Sequence, residues 1–410
     1  MRGRTSYAAR LTLAVAALVT GLFVLLIAPA PAFAGVSEAA QWQLSNLHAK
    51  AAWRMSTGAG VTVAVLDSGV DATHPDLVGQ VLPGADFVDG TTDGRKDFVG
   101  HGTTVAGLIA GRDRAGGVAG LAPKVKILPV RVLDKSNRYS DAATVARGLR
   151  WAVDHGAQVV NLSLGGSGRS LSLADAVDYA YQHDVVVVAC TGNVAESGTN
   201  EVWYPAREAG VLAVSGLAES RSGGAARVSL WSGALTGPAT VLTAPAMDLI
   251  GARPGGYWRV QGTSFAAPLV AATAALIRSR WPEMSAPNVI NRLIRTAQDL
   301  GVRGRDDTYG YGEVNPVAAL TASVPAVSAN PLAPSPPPAP GPPTESSSGA
   351  PAGAGGPVPT APPSVGRPVP VAAELPAVPR GVAWGLGAGV LVFISAVGAG
   401  LALIRRRPVT

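Results

Sequence analysis

Between Val61 and Leu300 the chain alternates short β-branched runs with stretches of helical periodicity, and few architectures accept that pattern. Val61–Leu66, Val125–Val132, Gln158–Leu164, Val185–Ala189 and Val211–Ser215 suit parallel strands buried on both faces. Ala142–Asp154, Ser172–His183, Ser264–Arg280 and Ala286–Leu300 read as helices, the last with Ser285 as its N-cap. The alternation predicts an α/β fold built on a mostly parallel sheet covered by helices on both faces. Sites in such sheets gather at the carboxyl ends of the strands, and Asp67 sits at one of them.

The ends of the 410-residue chain differ from this middle. Arg2, Arg4 and Arg10 precede an apolar run, Leu11–Ile27, and Ala32-Phe33-Ala34 follows it. These are the parts of a signal peptide spanning residues 1–34, cleaved after Ala34; an uncleaved anchor is the alternative, and both imply export. Residues 381–404 contain an uncharged stretch from Val382 to Ile404, long enough to span a bilayer as a helix. Trp384 would lie at the outer interface, with Arg405–Arg407 holding the tail, residues 405–410, in the cytoplasm. Gly385 and Gly389 have the spacing that packs two such helices. Residues 324–380, rich in Pro, Ala and Gly, have too few large apolar side chains to fold and read as a disordered linker. As a coil the linker spans about 40 Å, and as polyproline roughly 170 Å.

Residues 35–323 therefore form the folded body, large enough for one core. The body is expected outside the cytoplasm, held to the cell membrane by a single C-terminal pass. Much of the net charge of +6 lies at the two termini, and no aromatic-studded basic patch points to nucleic acid. With Cys190 the only cysteine, no intramolecular disulfide can form. Nothing near Cys190 in sequence would lower its pKa, so it reads as a small buried residue rather than a nucleophile.

Three segments carry chemistry: Val63–Gly69 with Asp67, Gly100–Thr103 with His101, and Gly262–Pro268 with Ser264. They supply an acid, a base and a nucleophile. A serine hydroxyl attacks only if a base takes its proton; a neutral imidazole does so near physiological pH, and a carboxylate fixes its tautomer. His101 is the best base, because Gly100 and Gly102 let the backbone turn before a helix over Thr103–Ala110. His74 is held in a proline turn, whereas His48, His155 and His183 lie among ordinary helix or loop residues. Ser264 opens an apolar helix whose first amides favour negative charge, with Pro268 tolerated in the first turn. Read alone, Ser264 is equally an N-cap, a role that Thr263 beside it could also fill. Asn193 follows a strand and could aim its amide at an oxyanion, or simply shape a turn.

Asp67-Ser68-Gly69, His101-Gly102-Thr103 and Gly262-Thr263-Ser264 resemble the three signatures of subtilisin-like serine peptidases, the subtilases, in the same chain order. The resemblance extends from about Gln41 to Leu320. It implies a three-layer subtilisin-like fold and peptide hydrolysis through an acyl-enzyme, with Asp67, His101 and Ser264 catalytic and Asn193 and Ser264 forming the oxyanion hole. It further implies that Ser163-Leu164-Gly165 pairs with substrate backbone and that Cys190-Thr191-Gly192 flanks the pocket for the residue before the cut. Trp203 would lie near the base of that pocket, where relatives often have glycine; pointing inward it makes the pocket shallow, and pointing outward it packs on the surface.

The order of signal, body, Pro-rich tether and membrane helix is similar to the mycosins, membrane-anchored peptidases of type VII secretion, and implies protein or peptide substrates and secretion components as partners. Trp281–Ser285 and Tyr311–Pro316 fit that likeness, although mycosins often carry disulfides. Only Gly35–Ala40 separates the signal from Gln41, which leaves no room for the usual prodomain, so folding without a cleavable chaperone is expected. No cofactor is assigned. Many relatives bind calcium, and Asp76 matches a frequent ligand, but Arg112 and Arg114 in the adjoining loop oppose a dication. A scaffold within a secretion complex, with proteolysis secondary, is the alternative reading. A cell-wall binding module would show aromatic rows or repeats, and at 5% aromatic residues neither is visible.

Overall fold

The computed structural model describes residue 36, residues 40–333 apart from 115, 223 and 224, and the backbone of residues 374–377. The signal segment, the span at 381–404, the tail and most of the linker lie outside the described residues. Among the described residues no helix is long and apolar enough to cross a membrane.

Two short helices, α1 (Trp42–Asn46) and α2 (Ala49–Trp53), lead into β1 (Thr62–Asp67). Then follow β2 (Ala85–Asp86), α3 (His101–Ala110), β3 (Lys126–Arg131), α4 (Ala142–Asp154), β4 (Val159–Leu162), α5 (Leu171–Gln182) and β5 (Val186–Cys190). Strands β6 (Leu212–Ser222), β7 (Ala225–Leu230), β8 (Leu242–Pro245), β9 (Leu249–Arg253) and β10 (Gly256–Val260) come next. Helices α6 (Thr263–Arg280), α7 (Ala286–Arg295) and α8 (Pro316–Thr321) close the body, and β11 (Glu374–Ala377) lies beside β10.

The main sheet runs β2-β3-β1-β4-β5-β6-β7, with β8 also paired to β6. Its pairings are parallel except β6–β7. The expected mostly parallel α/β sheet is therefore present, and its central strands are the β-branched runs. In β1 every residue from Val63 to Asp67 is buried, because a strand covered by helices on both faces has no solvent side. Helix α6 packs along β4, β5, β6 and β8, and every residue from Thr263 to Arg278 is buried. A helix apolar all round must lie inside the molecule, and its many alanines let the backbone come close to the sheet.

The structure departs from the sequence reading at several edges. Strand β6 continues past Ser215 to Ser222 because it folds back against β7. Helix α7 stops at Arg295 rather than Leu300, where Thr296 returns both its amide and its hydroxyl to the Arg292 carbonyl. Ser285 occupies the N-cap position of α7, but its hydroxyl makes no capping bond; Asp184 Oδ1 instead accepts the Ala286 amide at 2.5 Å. The expected linker begins by lying on the body: Asn291 and Asn288 donate to the carbonyls of Pro325 and Val327, and Asn330 is buried.

Candidate active site

Asp67 ends β1 and His101 begins α3. Their side chains meet with Nδ1 of His101 2.7 Å from Oδ1 of Asp67, and both residues are fully buried. The close approach depends on Gly102, where a Cβ would lie 2.1 Å from the Gly69 carbonyl oxygen. Sequence reasoning gave Gly102 a turn; it is instead the second residue of α3, and its missing side chain lets the helix head touch the end of β1. Gly100 does turn the chain, at φ +96°.

Asp97, which sequence reasoning passed over, holds this corner. Its Oδ1 accepts from the Ser68 hydroxyl and from the amides of Val99 and Gly100, and its Oδ2 from the amide and hydroxyl of Thr103, at 2.6–2.9 Å. The Ser68 hydroxyl in turn accepts the Gly102 amide at 3.0 Å. The Gly102 and Thr103 amides of α3 are thus satisfied by Ser68 and by a buried carboxylate four residues before the helix starts. Three of the other histidines are tied to backbone carbonyls. His155 stacks on Trp151 and pairs with its carbonyl, His183 pairs with the Tyr179 carbonyl, and His74 pairs with the Gly256 carbonyl.

Ser264 is the second residue of α6 and is buried, with its Oγ 3.8 Å from the Cys190 Sγ. The ring of Phe265 lies 5.3 Å from that of His101, which brings the head of α6 to the head of α3. Pro268 is the sixth helical residue, beyond the first turn where its missing N–H would have been harmless. It deprives the Ser264 carbonyl of its helical partner. The Ser163 hydroxyl supplies the replacement at 2.6 Å, and itself accepts from Asn161 Nδ2 at 2.9 Å.

Asn193 settles the capping question. Its Oδ1 accepts the Thr263 amide at 3.0 Å and the Thr263 hydroxyl at 3.1 Å, and that hydroxyl accepts from the Gly192 amide. Gly262 holds the N-cap position with no side-chain bond of its own, and Asn193 takes the first helical amide instead, so neither the Ser264 nor the Thr263 hydroxyl is the cap. The Asn193 Nδ2 therefore faces away from the cap, and it donates to Glu196 Oε1 at 3.2 Å. Burial pushes the Glu196 carboxyl up to about 7, opposed by that hydrogen bond and by the nearby His101. Glu196 went unremarked in the sequence because one acid in a loop carries no pattern.

The proposed pocket residues also converge. Ser163, Leu164 and Gly165 follow β4, while Cys190, Thr191 and Gly192 finish β5 and its turn. Trp203 lies between them, only 1% exposed, with its amide on the Thr191 carbonyl. A Cβ on Gly192 would come within 2.3 Å of the indole, and one on Gly165 within 3.0 Å of the Trp203 Cβ. Of the two orientations left open by the sequence, the inward one is observed. Cys190 is fully buried and its thiol is pushed up to about 12 by desolvation, so it stays protonated.

Asp76, the frequent calcium-ligand position, is engaged by protein donors. Its Oδ1 accepts the Arg114 amide, and its Oδ2 accepts the Val118 amide and the Tyr257 hydroxyl, each at 2.9 Å. Donors of this kind occupy the lone pairs that calcium would need. Among the described residues no group of three or more His, Cys, Asp or Glu side chains could hold a metal ion.

Comparison with known proteins places this geometry. The Subtilase family model matches residues 58–312. Subtilisin DY of Bacillus licheniformis is 41% identical over 261 residues, covering 62% of this chain and 88% of its own. Among solved structures, MycP1 with its N-terminal propeptide removed aligns with a TM-score of 0.61 at 31% identity, over 70% of this chain and 98% of its own. MycP3 from the ESX-3 type VII secretion system aligns with a TM-score of 0.58 at 32% identity, over 72% and 90% of the two chains. With the family model covering most of the folded body and a relative of this identity aligned along it, the chain belongs to the subtilase family and is a serine endopeptidase.

Proposed function

We propose that the protein is a mycosin-like, membrane-anchored endopeptidase that works outside the cytoplasm alongside type VII secretion components, using Asp67, His101 and Ser264 as its triad. The observation that carries the chemistry is the 2.7 Å contact between Asp67 and His101 Nδ1. It fixes the tautomer that leaves Nε2 as the proton acceptor. In the reaction His101 takes the Ser264 proton as Oγ attacks the scissile carbonyl. It then hands that proton to the departing amine, and Asp67 steadies the imidazolium between the two steps. A water activated by His101 releases the acyl group from Ser264 by the reverse sequence. The tetrahedral oxygen forms beside Asn193 and the head of α6, where side-chain and backbone N–H groups favour negative charge. One such side-chain donor is worth about 10²–10³ in kcat in a related peptidase.

Trp203 fills the base of the primary pocket in this reading, so small residues such as Ala or Ser precede the cut. The apolar span at 381–404 supports the membrane anchor, and the structural likeness to MycP1 and MycP3 supports the secretion role. The test treats the purified full chain and its Ser264→Ala variant with a fluorophosphonate probe and then with a mixed peptide library. Labelling and cleavage that vanish in the variant support the triad. A folded wild-type chain that neither labels nor cuts refutes it.

A further inference from the structure

The oxyanion donor of this site has an acidic neighbour. Asn193 is held at both ends: Oδ1 receives two hydrogen bonds from Thr263, and Nδ2 gives one to Glu196 Oε1 at 3.2 Å. The Thr263 contacts fix which end of the amide is oxygen, so Nδ2 cannot exchange places with it. Glu196 closes the short 3₁₀ turn Val194–Glu196 that follows Asn193, and its own amide returns to the Asn193 carbonyl. The second carboxylate oxygen, Oε2, is buried with no hydrogen-bond partner among the described residues. The side chain therefore turns inward toward the site rather than out to solvent.

An oxyanion bound to the remaining N–H of Asn193 would sit about 5 Å from the Glu196 carboxylate, because both would hang from one amide nitrogen. At that range, in a desolvated site, two negative charges oppose each other strongly. We propose that Glu196 is a positioning residue that controls the oxyanion hole: protonated it merely orients Asn193, and ionised it restrains the reaction by repelling the charge that develops at the remaining Asn193 N–H. This rests on the peptidase reading above. The titratable groups facing Glu196 are His101 on α3 and the Cys190 thiol at the end of β5. Cys190 stays neutral. A charged His101 would be favoured by an ionised Glu196, but the direct contact is with the oxyanion donor, so repulsion of the oxyanion dominates.

Burial pushes the Glu196 carboxyl up to about 7, which brings the switch into the physiological range. His101 must be neutral to act, which raises the rate with pH; ionisation of Glu196 then lowers it. The wild-type profile should therefore be a bell, whereas Glu196→Gln should rise to a plateau.

The experiment measures the second-order rate of Ser264 labelling by a fluorophosphonate, whose phosphoryl oxygen occupies the oxyanion position, from pH 5 to 10. Purified full-length wild type, Glu196→Gln and Glu196→Ala are compared. The expected result is a descending limb near neutral pH in the wild type only, with both variants about tenfold faster at the alkaline end. In an Asn193→Ala background the Glu196 substitution should give a much smaller gain. Superimposable profiles overturn the proposal, as does a Glu196→Gln variant slowed equally at every pH, which would mean simple structural support. Folded proteins that never label at any pH refute the peptidase reading itself, and the inference falls with it.

Discussion

Replacing Trp203 by alanine would test whether this indole sets specificity. The side chain is 1% exposed and lies between Gly165 and Gly192, where the proposed reading places the residue before the cut. Removing it leaves a cavity, and Trp→Ala in a core costs about 3–5 kcal/mol. For a body of this size that lowers Tm by roughly 10 °C, which a domain of ordinary stability survives. The same cavity can now accept a large side chain. Burying a phenylalanine contributes about 1.5–3 kcal/mol, so kcat/KM for substrates with Phe or Leu before the cut should rise about 10- to 150-fold relative to Ala. The assay compares kcat/KM for four peptides differing only at that position, alongside a melting curve for each protein. A wild type that already prefers Phe or Leu, or a folded variant that keeps the wild-type ranking, would refute the argument.

Three further outcomes are expected. Ser163→Ala strips the Ser264 carbonyl of its partner and should cost about 1–3 kcal/mol, measured by denaturant unfolding; in a Pro268→Ala background, where the helix amide returns, the cost should shrink, and an unchanged cost would refute the proline argument. Chelators should leave the melting curve unchanged, whereas Asp76→Ala should lower Tm by stranding the Arg114 and Val118 amides and the Tyr257 hydroxyl; a chelator-sensitive Tm would contradict that assignment. Glu313 is buried and its carboxyl is pushed up to about 7 by desolvation, above its unfolded value of 4.5. The native state then holds that proton more tightly than the unfolded chain, so the contribution of Glu313 to stability is full at low pH and is lost between about 4.5 and 7. Glu313→Gln should flatten that slope, and an unaltered pH profile of unfolding free energy would sink the attribution.

The alternation of β-branched runs and amphipathic helices was enough to find the parallel sheet, because strands buried on both faces have no polar positions to blur the signal. Strands β7 and β10 were missed for the opposite reason: Arg227 and Arg259 interrupt their apolar pattern, and β10 is half-exposed along most of its length. Strands β8 and β9 are buried throughout but only four and five residues long. The Asp67, His101 and Ser264 segments were legible because glycines surround them. Trp203 was legible only as a choice between two orientations, since position in sequence does not say which way an indole points. Asp97 and Glu196 escaped notice altogether. Their roles come from donors that the fold gathers around them, and no spacing in the chain announces that.

The head of α6 explains why so many polar residues cluster at one point in an otherwise apolar core. A helix that begins beneath the ends of buried strands must satisfy its first amides away from water. A proline at its sixth position strands one carbonyl more. Asn193 answers the first requirement at the Thr263 amide, and Ser163, steadied by Asn161, answers the second. These residues come from the ends of β4 and β5, so the parallel sheet itself sets where Ser264 sits. The same groups that complete the helix are those a peptide substrate would meet, and they leave little slack for Ser264 to move. Substitutions there should therefore change rate and stability together, whereas Glu196, which satisfies no helix group, should change the rate with little effect on stability.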